Sequence, residues 1–463
     1  MKDAQTESRE LAASAVALCR KRGAEQAEAL VVHQSEVAAG ASGDEVQLSG
    51  ASRSARVTVR LFRDNRGVVV IGHGSSERAL DELVGRAVEM LPHTSPDKYF
   101  GPAEAARDDA YGGDLKIYDE HLARLPQTRA EELALSAAAA VGRLDGRLAH
   151  LVTAGLQVRT QTVALHSSEG FSRDYRATSA TLTLNAVADG ALVEVGAAEP
   201  SRERQSLSGS SVTLTRSLEG LDVERAAERT VRQLRGLTDA RPCPAGEVPV
   251  VFAPAPARAL ASLLLQVCSG PATVLLDSTF FGKIGEGVCS PLLTLVDDAT
   301  LAGGIGTALF DHEGVSPRRK VIIERGVLRE YLLNSYYARA LQRRSTGNAV
   351  ANADARFGVR PSNAFFEAGD ASPDDILSGV ARGFYVSRFL SHAMPLAANF
   401  TQAAEGFWVE GGRLSHPVRA AALAAPLREV LTNVVAVGND LNPQGAVYSP
   451  TLLVSKMNVS PLA

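Results

Sequence analysis

Hydrophobic and polar positions in the first half of the chain switch between two periods. Leu11, Ala15 and Leu18 recur at i, i+4 and i+7 with Gly23 as a stop, which predicts an amphipathic helix. Period-two alternation follows at 29–33 and 55–62, so short strands are expected there. Asp64-Asn65-Arg66-Gly67 predicts a turn into Val68 to Ile71. Residues 77–91 return to the helical period and place Leu80, Leu83, Val84 and Ala87 on one face. From Gln127 the order recurs. Thr128 and Glu131 read as a capping box before a helix reaching Val141. Strands are expected at 151–159, 162–167, 177–188 and 192–196, and Asp222 caps a helix with Val223, Ala227, Val231 and Leu234 on one face. Helix, antiparallel meander and helix, twice over, describe a structural duplication. Residues 92–125, rich in Pro, Gly and Asp, read as an irregular connection between the repeats.

The texture changes at Arg241-Pro242-Cys243-Pro244-Ala245-Gly246, which stops any helix. Beyond it, glycine and short alternating strands dominate, with hairpins expected at Glu324-Arg325-Gly326 and Glu410-Gly411-Gly412. Helices are expected at 257–268, 333–342 and 373–377, and an apolar strand at 449–459. The fold class is therefore α+β. A duplicated N-terminal domain, 1–238 with repeats at about 1–92 and 126–238, precedes a β-rich barrel or sandwich at 247–463.

Length and composition narrow the field. A chain of 463 residues exceeds one ordinary domain, and 45% hydrophobic with 22% charged residues excludes general disorder. A net charge of −4 offers no basic face, so no nucleic-acid partner is expected. Cys19, Cys243, Cys268 and Cys289 are at least 21 residues apart, with no CxxC pair, and read as reduced, buried thiols. The first residues are charged without an apolar signal core, and the longest apolar stretch, 259–267, is too short to span a membrane. A cytoplasmic location without membrane attachment is expected.

Candidate chemistry is sparse. The closest pair among nine histidines, His150 and His166, is 16 residues apart, and no HExxH occurs. GxxxxGK[ST] and GxSxG are also absent. Gly303-Gly304-Ile305-Gly306 reads as a tight turn, and Ser95-Pro96-Asp97-Lys98 matches SxxK only in a proline-bearing loop. Asp297-Asp298 reads as turn chemistry, and Arg318-Arg319-Lys320 and Arg343-Arg344 as solvated faces. Asp311-His312-Glu313-Gly314 sets an imidazole between two carboxylates. With no partner in reach along the chain, a loop-fixing network is preferred over a hydrolytic site.

The run FFGKIGEGVCSPLLTLVDDATLAGGIGTALFDHEGVSPRRKVIIERGVLREYLLNSYYARAL, from Phe280 to Leu341, resembles the TldD/PmbA family. So do STGNA at 345–349, Pro361-Ser362-Asn363, GFWVE at 406–410, NVVAVGNDL at 433–441 and SPTLLV at 449–454. In the peptidase branch of that family, a helix early in the C-terminal domain carries a His-Glu dyad and, about a turn later, a second His. Together these hold zinc and supply a general base. The equivalent segment here is 257–268, and from Ala255 to Leu276 there is no His, Asp or Glu. Ala261, Ser262 and Gln266 stand near the ligand and base positions.

The resemblance therefore implies the PmbA, or TldE, branch, with no catalytic, cofactor or metal residues in this chain. Zinc is expected in a TldD-like partner subunit. Together the two subunits would admit unfolded peptides by β-strand addition and mature or degrade them. A homodimer is the form open to the chain without that partner. Two alternatives stand beside this reading: a homo-oligomeric peptide-binding scaffold, and a self-sufficient hydrolase using Asp311, His312 and Glu313. The stretches 352–360 and 397–399 depart from the family pattern, so no peptide contact is assigned to a residue.

Overall fold

The computed structural model describes residues 4–103, 113–145, 152–188, 192–195, 201–204, 207–235, 240–275, 278, 280–352, 357–390 and 399–462. The first half begins with α1 (Ala4–Lys21), β1 (Gln26–Ser42), β2 (Glu45–Arg63), β3 (Arg66–His73) and α2 (Glu77–Met90). After the short α3 (Glu120–Ala123) come α4 (Gln127–Leu144), β4 (Val152–Ser167) and β5 (Ser172–Ala188). The small hairpin β6 (Leu192–Val195) and β7 (Ser201–Arg204) then precedes β8 (Leu207–Thr215) and α5 (Val223–Arg235). Apart from that hairpin, the strands form one six-stranded antiparallel sheet in the order β3-β2-β1-β4-β5-β8. The repeats meet through their first strands: Gln34 of β1 lies opposite Gln161 of β4, and their amides bond at 2.8 Å.

All four long helices cover one face of this sheet. Leu11, Ala15, Leu80 and Leu83 from α1 and α2 pack with Val57, Val59 and Leu61, while Ala134, Val141, Ala227 and Val231 from α4 and α5 pack with Leu156, Leu182 and Leu184. The strands are longer than alternation predicts, with 17 residues in β1 and 19 in β2. From Gln34 to Ser54 most residues are small or polar, apart from Val37, Val46 and Leu48, and the second face of the sheet lies largely open there. Backbone pairing holds these stretches extended without a hydrophobic signal. Asp64 and Asn65, with φ of 52° and 54°, make the expected β2–β3 turn in the left-handed region those residues tolerate.

The expected capping box does not form. Pro126 enters α4 in an extended conformation and no side chain caps the helix, so Thr128 lies inside the first turn. Glu131 instead accepts from Ser49 Oγ, which ties α4 to β2. Asp222 does cap α5, accepting from the Arg225 amide at 2.9 Å.

The second half is built around a closed barrel. β9 (Gly246–Phe252) runs parallel to Arg382–Phe389, and Asn399–Glu410, Arg413–Pro426 and Leu452–Pro461 follow in antiparallel order. The last of these pairs back onto β9, closing five strands. A second sheet has Leu295–Asp298 at its centre, between Arg319–Glu324 and Ala364–Phe366. Both expected hairpins are present, with left-handed Arg325-Gly326 and Gly411-Gly412 at their turns.

Helix α6 (Pro254–Val267) packs against the barrel and the second sheet. It begins three residues before the sequence expectation because Pro254 suits the first turn, where its missing N–H has no helical partner. Leu260 and Leu264 are completely buried and Val267 partly so, at i, i+4 and i+7 on one core-facing row. Leu264→Ala is expected to cost about 2–5 kcal/mol. Denaturant unfolding checks this, and an unchanged midpoint would show that the core face is misplaced. Among the described residues all four cysteines are free and buried, and no helix is long and apolar enough to cross a membrane.

Candidate functional site

The outer stripe of α6 consists of Ala255, Arg258, Ser262 and Gln266, and the Ser262 hydroxyl is bonded back to the Arg258 carbonyl at 3.0 Å. Ser262 and Gln266 are one turn apart and point outward. Ala261, aligned by sequence with a ligand position, is instead completely buried in the core. Zinc requires convergent imidazole, thiolate or carboxylate donors. A hydroxyl and an amide on this stripe do not fit it. Among the described residues no group of three or more His, Cys, Asp or Glu is placed to hold a metal ion.

The 311–315 loop brings its charged residues together in sequence but gives each a separate task. Asp311 Oδ1 accepts from the amides of Glu313 and Val315, both at 2.9 Å, and Oδ2 accepts from the Ala349 amide at 2.9 Å. His312 Nδ1 accepts from the Ala351 amide at 2.8 Å, so a neutral ring carries its proton on Nε2. Glu313 turns away into the core, where its oxygens meet Arg60 Nη1 at 3.0 Å and the Ser335 amide at 2.8 Å. The loop is thereby stitched to the strand Ala349–Ala351 on one side and to β2 on the other. This is the loop-fixing network anticipated from sequence.

Electrostatics follow the same division. Burial, and then the Glu313 charge, push the Asp311 carboxyl upward against the pull of its three amides. Burial, and then Arg360 and Arg56, hold the His312 imidazole down to about 3. As pH falls below about 6.5, the unfolded chain takes up this proton while the folded chain does not, so His312 subtracts stability through that window, whereas the raised Asp311 carboxyl, protonated first in the folded chain, acts in the opposite sense. The His312 contribution cannot exceed about 1.4 kcal/mol per pH unit, the slope for a difference of one bound proton. His312→Asn keeps an acceptor for the Ala351 amide and is expected to remove the His312 contribution alone, leaving the variant with less loss of stability on acidification than the parent chain. Denaturation midpoints at neutral and mildly acid pH test this, and parallel slopes for the two proteins would refute it.

Two readings of charge are corrected. Asp297 is not a turn residue but a completely buried member of the central strand of the second sheet. Lys320 is not on a solvated face but lies directly opposite it, with Nζ 3.1 Å from Oδ2. Asn348 Nδ2 and the Ser362 amide also donate to Asp297, at 2.8 and 2.7 Å. Asp298 does serve a turn, accepting from the Thr300 amide at 2.8 Å, and Arg318 and Arg319 are exposed as expected.

Above this network, a cleft of about 520 Å³ lies between the open face of the first sheet and loops of the second half. Arg56, Arg159, Tyr175, Arg216, His312 and Arg360 are on its walls. The glycine turn at 303–306 forms one wall. A Cβ on Gly306 would lie 1.8 Å from the Ser362 carbonyl oxygen, so only glycine permits that approach. Of the two atypical stretches, 353–356 and 397–398 lie outside the described residues.

Two family descriptions match the chain: the PmbA/TldA metallopeptidase central domain over residues 120–237 and the C-terminal domain over residues 245–461. The chain is 24% identical to the metalloprotease PmbA homolog of Haemophilus influenzae, covering 99% of this chain and 97% of that one. The metalloprotease TldD homolog of the same organism is 30% identical, but over only 46% of this chain and 45% of its own. The fold is that of TldE from Thermococcus kodakarensis, with a TM-score of 0.82 at 20% identity, covering 97% of this chain and all of that one.

Proposed function

Because the chain belongs to the PmbA/TldD metallopeptidase family, we propose that it is the metal-free, TldE-type member of a two-subunit zinc peptidase. A TldD-like subunit supplies the zinc, and the pair works on unfolded peptides in the cytoplasm. The observation that carries this reading is the outer stripe of α6, where Ser262 and Gln266 stand at helical ligand spacing without a donor that zinc accepts. The end-to-end match to a PmbA homolog, against a partial match to a TldD homolog, supports the same branch. Asp311, His312 and Glu313 do not favour a self-sufficient hydrolase, since their acceptor atoms are spent on separate partners.

The test is co-purification with a TldD-like sibling, followed by metal analysis and a peptide-cleavage assay. The pair is expected to carry about one zinc and to cleave unstructured peptides, and this chain alone to do neither. Stoichiometric zinc at a defined site in the isolated chain would overturn the proposal. Chelator-resistant cleavage by the isolated chain, lost in His312→Ala, would replace it with the hydrolase reading.

A further inference from the structure

The cleft between the first sheet and residues 299–317, 347–352 and 360–362 carries positive charge that the carboxylates among the described residues do not fully neutralise. Arg159 is paired with Glu36 at 2.8 Å. Arg216 is directed onto the carbonyls of Thr178, Gly304 and Thr307, at 3.0 to 3.2 Å, and no carboxylate meets it among the described residues. Arg56 and Arg360 have no ion-pair partner among the described residues, yet the charges of both reach His312. Those of Arg216 and Arg360 both reach the buried Tyr175 hydroxyl. Three guanidinium groups thus converge on one space. The acid on its wall, Asp311, has both oxygens committed to backbone amides.

We propose that this cleft is an anion site that anchors a peptide carboxylate through Arg56 and Arg360. The planar guanidinium fork matches a carboxylate with two parallel hydrogen bonds, whereas Arg216, with four of its five N–H donors on backbone carbonyls, contributes mainly its field. Val32, Val163, Tyr175 and Phe310 supply the apolar wall that a neighbouring side chain requires, and the volume lies in the range of small-ligand sites. The carboxylate belongs either to the free C-terminus of a peptide or to an Asp or Glu within it. The choice of a peptide as its bearer rests on the peptidase-partner reading above.

Binding to the isolated full chain is measured by fluorescence anisotropy with labelled alanine tetrapeptides. One has a free C-terminus, one is amidated, and one is amidated with an internal Glu. The free acid is expected to bind about tenfold or more tightly than the plain amide. Recovery by the internal Glu would identify an acidic side chain as a second acceptable source, and failure to recover would restrict the site to C-termini. Arg56→Gln and Arg360→Gln are each expected to lose about tenfold with unchanged unfolding midpoints, while Arg360→Lys retains part of the affinity. Equal binding of acid and amide, or full affinity in both Gln variants, overturns the site. Because the assay needs neither zinc nor partner, its failure alongside an active pair removes the cleft alone. Carboxylate binding alongside an inactive pair removes the peptidase reading instead.

Discussion

Replacing Arg60 by methionine is expected to cost about 3–5 kcal/mol of folding stability, because it leaves two carboxylates buried without their shared cation. Arg60 Nη1 lies 3.1 Å from Glu28 and 3.0 Å from Glu313, and all three side chains are at most 5% exposed. Glu28 and Arg60 face each other across β1 and β2, whereas Glu313 comes from the second half of the chain. The guanidinium also donates to the Gly101 carbonyl at 3.1 Å and lies 4.3 Å from the centre of the Phe357 ring. Its loss therefore removes the polar bond between the first sheet and the 311–315 loop. The triple variant Glu28→Gln, Arg60→Met, Glu313→Gln removes every charge and is expected to recover much of the loss, which denaturant unfolding at constant pH measures. A triple variant no more stable than Arg60→Met would show that packing on Phe357, not charge, makes the residue necessary.

Arg60 also shows why part of the site escaped the sequence. In ValThrValArgLeuPhe, the alternation puts Val57, Val59 and Leu61 toward the helices and Thr58 and Arg60 on the other face. With one sheet in view, that second face reads as solvent. What covers it is a loop some 250 positions later in the chain, and no local period can announce so distant a neighbour. Lys320 was misread for the same reason. Between Arg319 and Val321 it completes a basic cluster, but strand alternation turns it opposite to its exposed neighbour and against Asp297.

Legibility was highest where local chemistry decides the backbone. The Asp64-Asn65, Arg325-Gly326 and Gly411-Gly412 turns, the cap at Asp222 and the core row of α6 were all readable from a few adjacent residues. The family landmarks have a physical basis that only the fold reveals. Asp297 comes from the LVDD segment, Asn348 from STGNA and Ser362 from PSN, and the structure joins the last two, with Lys320, around Asp297 as one polar network. Residues that looked like separate signatures are one satisfied constellation. Its members leave no oxygen on Asp297 for catalysis.

The same network sets the last expectation. Lys320→Met leaves the Asp297 carboxylate completely buried with the Asn348 amide and the Ser362 N–H still donating, but with no opposing charge. A loss of about 3–5 kcal/mol is expected, since the departing ammonium also abandons the Thr346 carbonyl it reaches at 3.0 Å. Asp297→Asn alone leaves the ammonium buried and uncompensated and is expected to cost a similar amount. Combining the two removes both charges, and its cost is expected to fall well short of the sum. A double-mutant cycle read by denaturant unfolding gives the coupling directly. Near-additive losses would mean that Asp297 and Lys320 act independently, each through its backbone and amide partners, and that the 3.1 Å contact contributes little. A strong coupling would place the ion pair at the centre of the second sheet, holding strands Leu295–Asp298 and Arg319–Glu324 in the register that carries the 311–315 loop to the cleft.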